Sequence, residues 1–216
     1  MMKLYGYWRS SASYRVRIAL NLKGVDVEHV PVNLRMTEHR QSAFKDVNPA
    51  AAVPVLVLEN GQRITQSLAI LDYLEDTVKE PSLLPSTATD KAVARSLALL
   101  VACDTSPLQN LKVQNFVKST NPHTEDVGVN WANHWITEGL ASLEATLANL
   151  PLNGTFLFGD QPGWAECVII PQLYNAERFG VEVSNYPRLS ALQTHCLAHD
   201  AFQQAAPENQ PDAPAL

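Results

Sequence analysis

The sequence predicts an α/β unit followed by an all-α unit, and three observations carry that prediction. Strand-like and helix-like segments alternate only as far as about residue 78. A stretch rich in proline and small polar residues, KEPSLLPSTAT, comes next, and beyond it every periodic segment is helical. The first part opens with a strand over 3–7. A helix follows over 15–23, with Val16, Ala19, Leu20 and Lys23 at helical spacing, and Gly24 stands where a helix ends in a left-handed residue. VEHVPV (27–32) alternates like a second strand, and 37–47 reads as a short helix ended by Asn48-Pro49. Two short strands, 55–58 and 63–65, flank Glu59-Asn60-Gly61, and Asn-Gly between short strands signals a hairpin. A third helix over 67–78 has an apolar side (Leu68, Leu71, Leu74) and an acidic one (Asp72, Glu75).

The order β-α-β, irregular helix, β-β-α is the thioredoxin-like plan, which places that domain at 1–80. Val53-Pro54 precedes the third strand, where proline has no N–H to extend a ladder. A cis bond is expected there, leaving the Val53 backbone to pair with something outside the fold. Residues 81–89 read as the linker. Residues 90–216 read as an all-helical domain, with helices over 90–118, 125–150, 164–179 and 189–199. The closing PENQPDAPAL, with three prolines, reads as an extended tail.

Composition narrows the function. The chain has 216 residues, of which 46% are hydrophobic, enough for a substantial core. The net charge of −6 and the lack of a lysine/arginine block argue against a nucleic-acid partner. No signal-peptide pattern and no apolar run approaching the roughly 18 residues of a membrane span occur, so no membrane association is expected. Cys103, Cys167 and Cys196 are scattered, with no CxxC or Cys/His spacing. Neither a metal site nor a disulfide framework is expected, and the cytoplasm is the expected location.

One stretch carries chemistry. In YWRSSASYRVRIAL, Ser10-Ser11-Ala12-Ser13 sits where a strand gives way to a helix. Hydroxyls there can cap the helix. They can also join its unpaired N–H groups and partial positive charge in holding an anion. Gln66-Ser67 opens the third helix with the same two readings. Arg178, two residues before Gly180, suits either the last carbonyls of a helix or a carboxylate ligand. Arg17 reads as a solvated or salt-bridged helix residue. A serine hydrolase is set aside, because no GxSxG elbow occurs and no histidine lies near the serines.

The segments RSSASYRVRIALNLKG (9–24), NPAAAVPVL (48–56), QSLAILDYLE (66–75), PLQNL (107–111), NAERFGV (175–181) and AFQQAAPENQPD (201–212) resemble the glutathione transferases, and among them the zeta class, almost from end to end. Two departures stand out. Ala12 occupies a position that is often cysteine in that class. Gly163, in GDQPGWAE, replaces the Ser/Thr half of a helix-capping box closed by Glu166.

The resemblance implies glutathione as cofactor, bound by Ser10, Ser11, Ala12, Ser13, Tyr14, Arg15, His39, Val53, Gln66, Ser67, Asn110 and Lys112. It makes Ser10, with Ser11 close behind, the hydrogen-bond donor to the thiolate, and Arg178 the clamp for a substrate carboxylate. A free thiol of pKa about 8.5 is only a few per cent thiolate at neutral pH. Lowering it by two units takes about 2.7 kcal/mol. One charge-assisted hydrogen bond contributes about 1.5–3 kcal/mol, and the helix start adds to it.

The implied reaction is glutathione-dependent cis–trans isomerisation of a small dioxo dicarboxylic acid. Maleylacetoacetate going to fumarylacetoacetate, in tyrosine and phenylalanine breakdown, is the leading case. Maleylpyruvate, or conjugation of small electrophiles such as α-halo acids, would use the same site. A non-catalytic binding module is the rival of another class. The resemblance also implies a homodimer.

Overall fold

The computed structural model describes residues 1–151 and 154–214, so the last two residues of the predicted tail lie outside it. The chain clusters into two units, Met1–Leu83 with Leu197–Leu216, and Leu84–Cys196.

In the first unit, β1 (Lys3–Gly6), β2 (Glu28–Pro31), β3 (Val55–Val57) and β4 (Arg63–Thr65) form one sheet in the order β2-β1-β3-β4. β1 and β2 are parallel, joined across α1 (Ser11–Lys23); β3 pairs antiparallel with both β1 and β4. Asn60-Gly61 makes the predicted hairpin, with Gly61 at φ 84°. Gly24 ends α1 in the left-handed conformation, φ 63°. Val53-Pro54 is cis, and so is Glu80-Pro81. The helix predicted over 37–47 is instead a 3₁₀ turn, Glu38–Arg40, followed by the single-turn α2 (Ser42–Lys45). Local polar bonds draw the chain into turns here: Asn33 Oδ1 accepts from the N–H groups of Arg35 and Met36, and Glu38 Oε2 from that of Asn33.

Helix α1 starts four residues earlier than the apolar spacing predicts, because Ser10 is its cap. It is buried without interruption from Ser13 to Leu20, against α3 (Ser67–Thr77) on one side. A helix covered all round need not be amphipathic, and here the enclosed stretch includes Arg15 and Arg17.

The second unit is helical. One predicted helix over 90–118 is two: α4 (Ala88–Leu99) passes into a π-helical segment, Leu100–Thr105, and α5 (Leu111–Thr120) restarts after Pro107. Proline supplies no N–H and clashes with the preceding turn, which ends the ladder. α6 (Val127–Ala148) packs on the π-helical segment; a Cβ at Gly139 would strike the Thr105 side chain, so glycine permits that approach. α7 (Trp164–Arg178) keeps half of its capping box. The Glu166 carboxylate accepts from Gly163 N at 2.9 Å and from Leu157 N at 2.8 Å. Burial pushes that carboxyl above its usual range against the pull of those N–H groups. α8 (Pro187–Leu197) completes the unit.

The C-terminal segment corrects the predicted extended tail of the all-helical domain. The tail expected over 207–216 begins instead with a 3₁₀ turn, Pro207–Asn209; it follows α9 (Asp200–Ala205), which the periodicity did not reveal, and both cluster with the first unit. Phe202 is fully buried, and α1 holds the segment by its carbonyls: Asn21 Nδ2 donates to Ala201 O at 2.9 Å and Arg17 Nε to Ala205 O at 3.0 Å. Proline starts the closing 3₁₀ turn, a position where its missing N–H costs nothing.

Lys23, at the end of α1, pairs with Glu75 of α3 at 2.6 Å, with the lysine side chain wholly enclosed. Burial would raise the Glu75 carboxyl, but hydrogen bonds from Lys23, Ser82 and the Leu83 N–H outweigh it and hold its pKa below the usual value. A depressed carboxyl contributes stability that is complete above its unfolded value and is lost as pH falls through the folded one. Glu75→Gln should therefore lower unfolding free energy by about 2 kcal/mol at neutral pH. The gap to wild type should close as pH falls below 4.5 in urea titrations. A gap that stays constant with pH would deny the pair that role.

Candidate functional site

The start of α1 is built by its own sequence. Ser10 has extended backbone (φ −72°, ψ 118°), and its Oγ accepts from Ser13 N at 3.2 Å. This caps the helix, yet the hydroxyl proton of Ser10 remains to be donated. Ser11, the first helical residue, makes no side-chain hydrogen bond among the described residues. Ser10, Ser11 and Ala12 are half-buried. Ser13 and Tyr14 differ from these three in burial. Ser13 is 0% exposed, and its Oγ accepts from Tyr7 N at 3.4 Å; Tyr14 is 1% exposed, and its hydroxyl reaches Phe202 O at 3.5 Å. Both side chains face the domain interior, so a ligand could meet them through backbone atoms alone.

Arg15 joins α1 to the start of α3. It is 4% exposed, and its Nη1 donates to Ser67 Oγ, in the first turn of α3, at 3.3 Å. Gln66 alone separates β4 from α3, and it does so at φ 70°, ψ 121°. That conformation costs a residue with a Cβ about 1–3 kcal/mol. It turns a strand directly into a helix whose first N–H groups have no intrahelical partners. Gln66 itself is exposed.

Val53 N–H and C=O make no hydrogen bond among the described residues, as the sequence leads one to expect. His39, in the 3₁₀ turn, has a buried Nδ1 without a partner. Burial pushes the pKa of His39 down, and Arg40 adds to the effect. Val53 and His39 Nδ1, both in the first unit, thus keep unused hydrogen-bonding capacity.

The second unit carries the other implied residues. Asn110 caps α5, its Oδ1 accepting from Lys112 N at 3.1 Å; both residues are exposed. Arg178 ends α7, exposed, with Nη1 donating to Asn175 Oδ1 at 2.9 Å and the guanidinium 5.8 Å from the Phe179 ring centre. Trp131 and Asn133, which the sequence does not single out, hold the flanking loops from α6: Trp131 Nε1 donates to Leu108 O at 2.8 Å and Asn133 Nδ2 to Phe179 O at 3.0 Å. Among the described residues no cluster of three or more His, Cys, Asp or Glu could hold a metal ion.

Residues 1–76 match the family described as "Glutathione S-transferase, N-terminal domain". Over its full length the chain is similar to maleylacetoacetate isomerase of Pseudomonas aeruginosa, at 45% identity across 99% of this chain and 100% of that one. The chain belongs to the zeta class of the glutathione transferases. Its fold superposes with TM-score 0.94 on a holo maleylpyruvate isomerase described as a bacterial zeta-class glutathione transferase, at 40% identity over 98% of this chain and 100% of that one. A maleylacetoacetate isomerase of Methylobacterium extorquens AM1 with bound malonate and glutathione matches equally well, with TM-score 0.94 and 40% identity over 99% of this chain and 100% of that one.

In this transferase fold, the solvated alternative for Arg17 does not hold. Arg17 is buried, with its guanidinium on the carbonyls of Tyr7, Trp8 and Ala205. Two of these partners lie nine and ten positions away, but the third, Ala205, is 188 positions away, beyond any local pattern.

The cap separates the two serines in stability. Ser10→Ala should cost about 1 kcal/mol. Ser11→Ala, which breaks no bond among the described residues, should stay within about 0.5 kcal/mol of wild type. Urea unfolding of both variants measures this, and equal losses would contradict the assignment of Ser10 as the cap.

Proposed function

We propose that the chain is a glutathione-dependent cis–trans isomerase converting maleylacetoacetate to fumarylacetoacetate in tyrosine and phenylalanine catabolism. The observation that carries the reading is the pair of helices joined by Arg15 and Ser67, one of them bearing at its start two half-buried serine hydroxyls with protons to donate. Full-length similarity to enzymes of that activity supports it.

Glutathione fits the unused groups of the first unit. Its carboxylate at the γ-glutamyl end suits the first N–H groups of α3 with the Ser67 hydroxyl and Gln66. Its cysteinyl backbone suits the N–H and C=O of Val53, and His39 Nδ1 offers one further contact. Bound there, it supplies a thiolate that adds to the conjugated alkene, lets the former double bond rotate, and is eliminated unchanged.

The Ser10 hydroxyl, its oxygen fixed by Ser13 N–H, donates its proton to the sulfur, while the α1 N-terminus adds partial positive charge. Ser11 is the alternative donor. Arg15, from α1, places cationic charge at the start of α3. In the second unit Arg178 is the group suited to grip a substrate carboxylate, oriented by Asn175. Asn110 and Lys112 stand as secondary contacts. Maleylpyruvate is the second reading of the substrate, favoured by the solved zeta-class relative of that activity.

Cysteines that form no disulfide, one exposed and two buried, accord with a cytoplasmic location, and membership of the class with a homodimer, which light scattering of the purified protein checks.

The deciding experiment is turnover of maleylacetoacetate, maleylpyruvate and dichloroacetate by purified protein with and without glutathione. Absence of glutathione-dependent loss of maleylacetoacetate would end the leading reading. Ser10→Ala should raise the pKa of the bound thiol by about one unit; an unmoved titration transfers the role to Ser11. Arg178→Ala should raise KM by about tenfold or more with a smaller effect on kcat. Unchanged kinetics would leave Arg178 a helix-end residue.

A further inference from the structure

The segment between β1 and α1 is held by side chains from far along the chain. The Trp8 N–H donates to Asp212 Oδ2 at 2.9 Å, across 204 positions, and the Trp8 carbonyl accepts from Arg17 Nη2 at 2.9 Å. Arg17 also donates to Tyr7 O at 3.5 Å and to Ala205 O at 3.0 Å. One guanidinium therefore grips the β1–α1 segment and the C-terminal segment together. Asp212, Gln210, Arg17 and His29 line one small cleft beside Tyr7 and Trp8. Two residues beyond Trp8, Ser10 caps α1. The Ser10 N–H is tied to Tyr7 O at 3.0 Å, so a shift of the Trp8 peptide passes directly to the cap.

We propose that Asp212 and Arg17 are positioning residues: through the Trp8 peptide, the C-terminal segment sets the place of the Ser10 hydroxyl and the first N–H groups of α1 where they stabilise the glutathione thiolate. This rests on the functional reading above. Both act through the Trp8 backbone rather than on the reacting atoms. The carboxylate fits the task because a charged acceptor binds an N–H roughly twice as strongly as a neutral one. The arrangement also accounts for the proline-rich terminus reaching back to the β1–α1 segment rather than extending away. Placement matters in such a site, where an error of about 1 Å can cost about a hundredfold in rate.

Asp212→Ala tests this, with Asp212→Asn as the conservative variant whose amide oxygen can still accept from Trp8 N–H. Amide hydrogen exchange without glutathione should quicken in Asp212→Ala at Trp8 and at the first turn of α1. With glutathione, the ultraviolet titration of the bound thiol should move to higher pH and kcat/KM should fall about tenfold, chiefly in kcat. Asp212→Asn should recover most of both losses. A lowered melting temperature with unchanged thiol titration and kcat, or unchanged exchange at Trp8, overturns the inference and leaves the functional reading intact. If wild type itself leaves the glutathione thiol at its solution pKa, the functional reading falls and takes this inference with it.

Discussion

Two guanidinium groups enclosed along one helix constrain the whole of the first unit. Arg15 and Arg17 are each 4% exposed, and a charge removed from water must find partners or destabilise the fold by several kcal/mol. Residues two apart on an α-helix point about 200° apart, so the two side chains leave α1 on opposite sides. Arg15 goes to Ser67 at the start of α3, and Arg17 to the carbonyls of Tyr7, Trp8 and Ala205. The requirement to satisfy buried charge thus ties the first turn of α3 and the C-terminal segment to the helix that carries the serines.

That constraint explains how a short polar stretch serves structure and chemistry together. Within Ser10–Ser13, the first serine caps, the second is without a side-chain hydrogen bond among the described residues, and the fourth residue is sealed inside beside Gly6. A capping hydroxyl uses its oxygen and keeps its proton. Capping and anion binding are therefore compatible on one residue, and the choice between them that the sequence poses is not a real one for Ser10.

The parts of the fold legible in the sequence are those specified locally. Asn60-Gly61 needs a hairpin, Gly24 tolerates the left-handed residue after α1, and a strand–helix–strand beginning leads to a parallel pair. The parts that were not legible depend on distant partners or on competing local bonds. The apolar spacing placed the start of α1 at residue 15, because the helix is covered on more than one face and loses its stripe. The helix expected over 37–47 yields to turns made by Asn33 and Glu38. The single helix expected over 90–118 is interrupted by a π-helical segment before Pro107, against which Gly139 lets α6 settle. In the candidate site, residue types marked Ser10, Ser11 and Ser67 as hydroxyls at helix starts, and Val53-Pro54 as a break in the ladder. Nothing in the residue types could show that Ser13 and Tyr14 face inward, or that His39 buries a ring nitrogen without a partner.

The sequence by itself determined the two-part plan, the class of fold and the polar groups at the two helix starts, since periodicity, turn residues and caps act over a few positions. The tertiary structure decided which of those groups keep hydrogen-bonding capacity. It also decided that the C-terminal segment folds onto the first unit, with α9 packed on α1 and the proline-rich end starting in a 3₁₀ turn. The physical reason is that burial and partner choice are set by contacts across as many as 204 positions, between Trp8 and Asp212, and no local pattern encodes them.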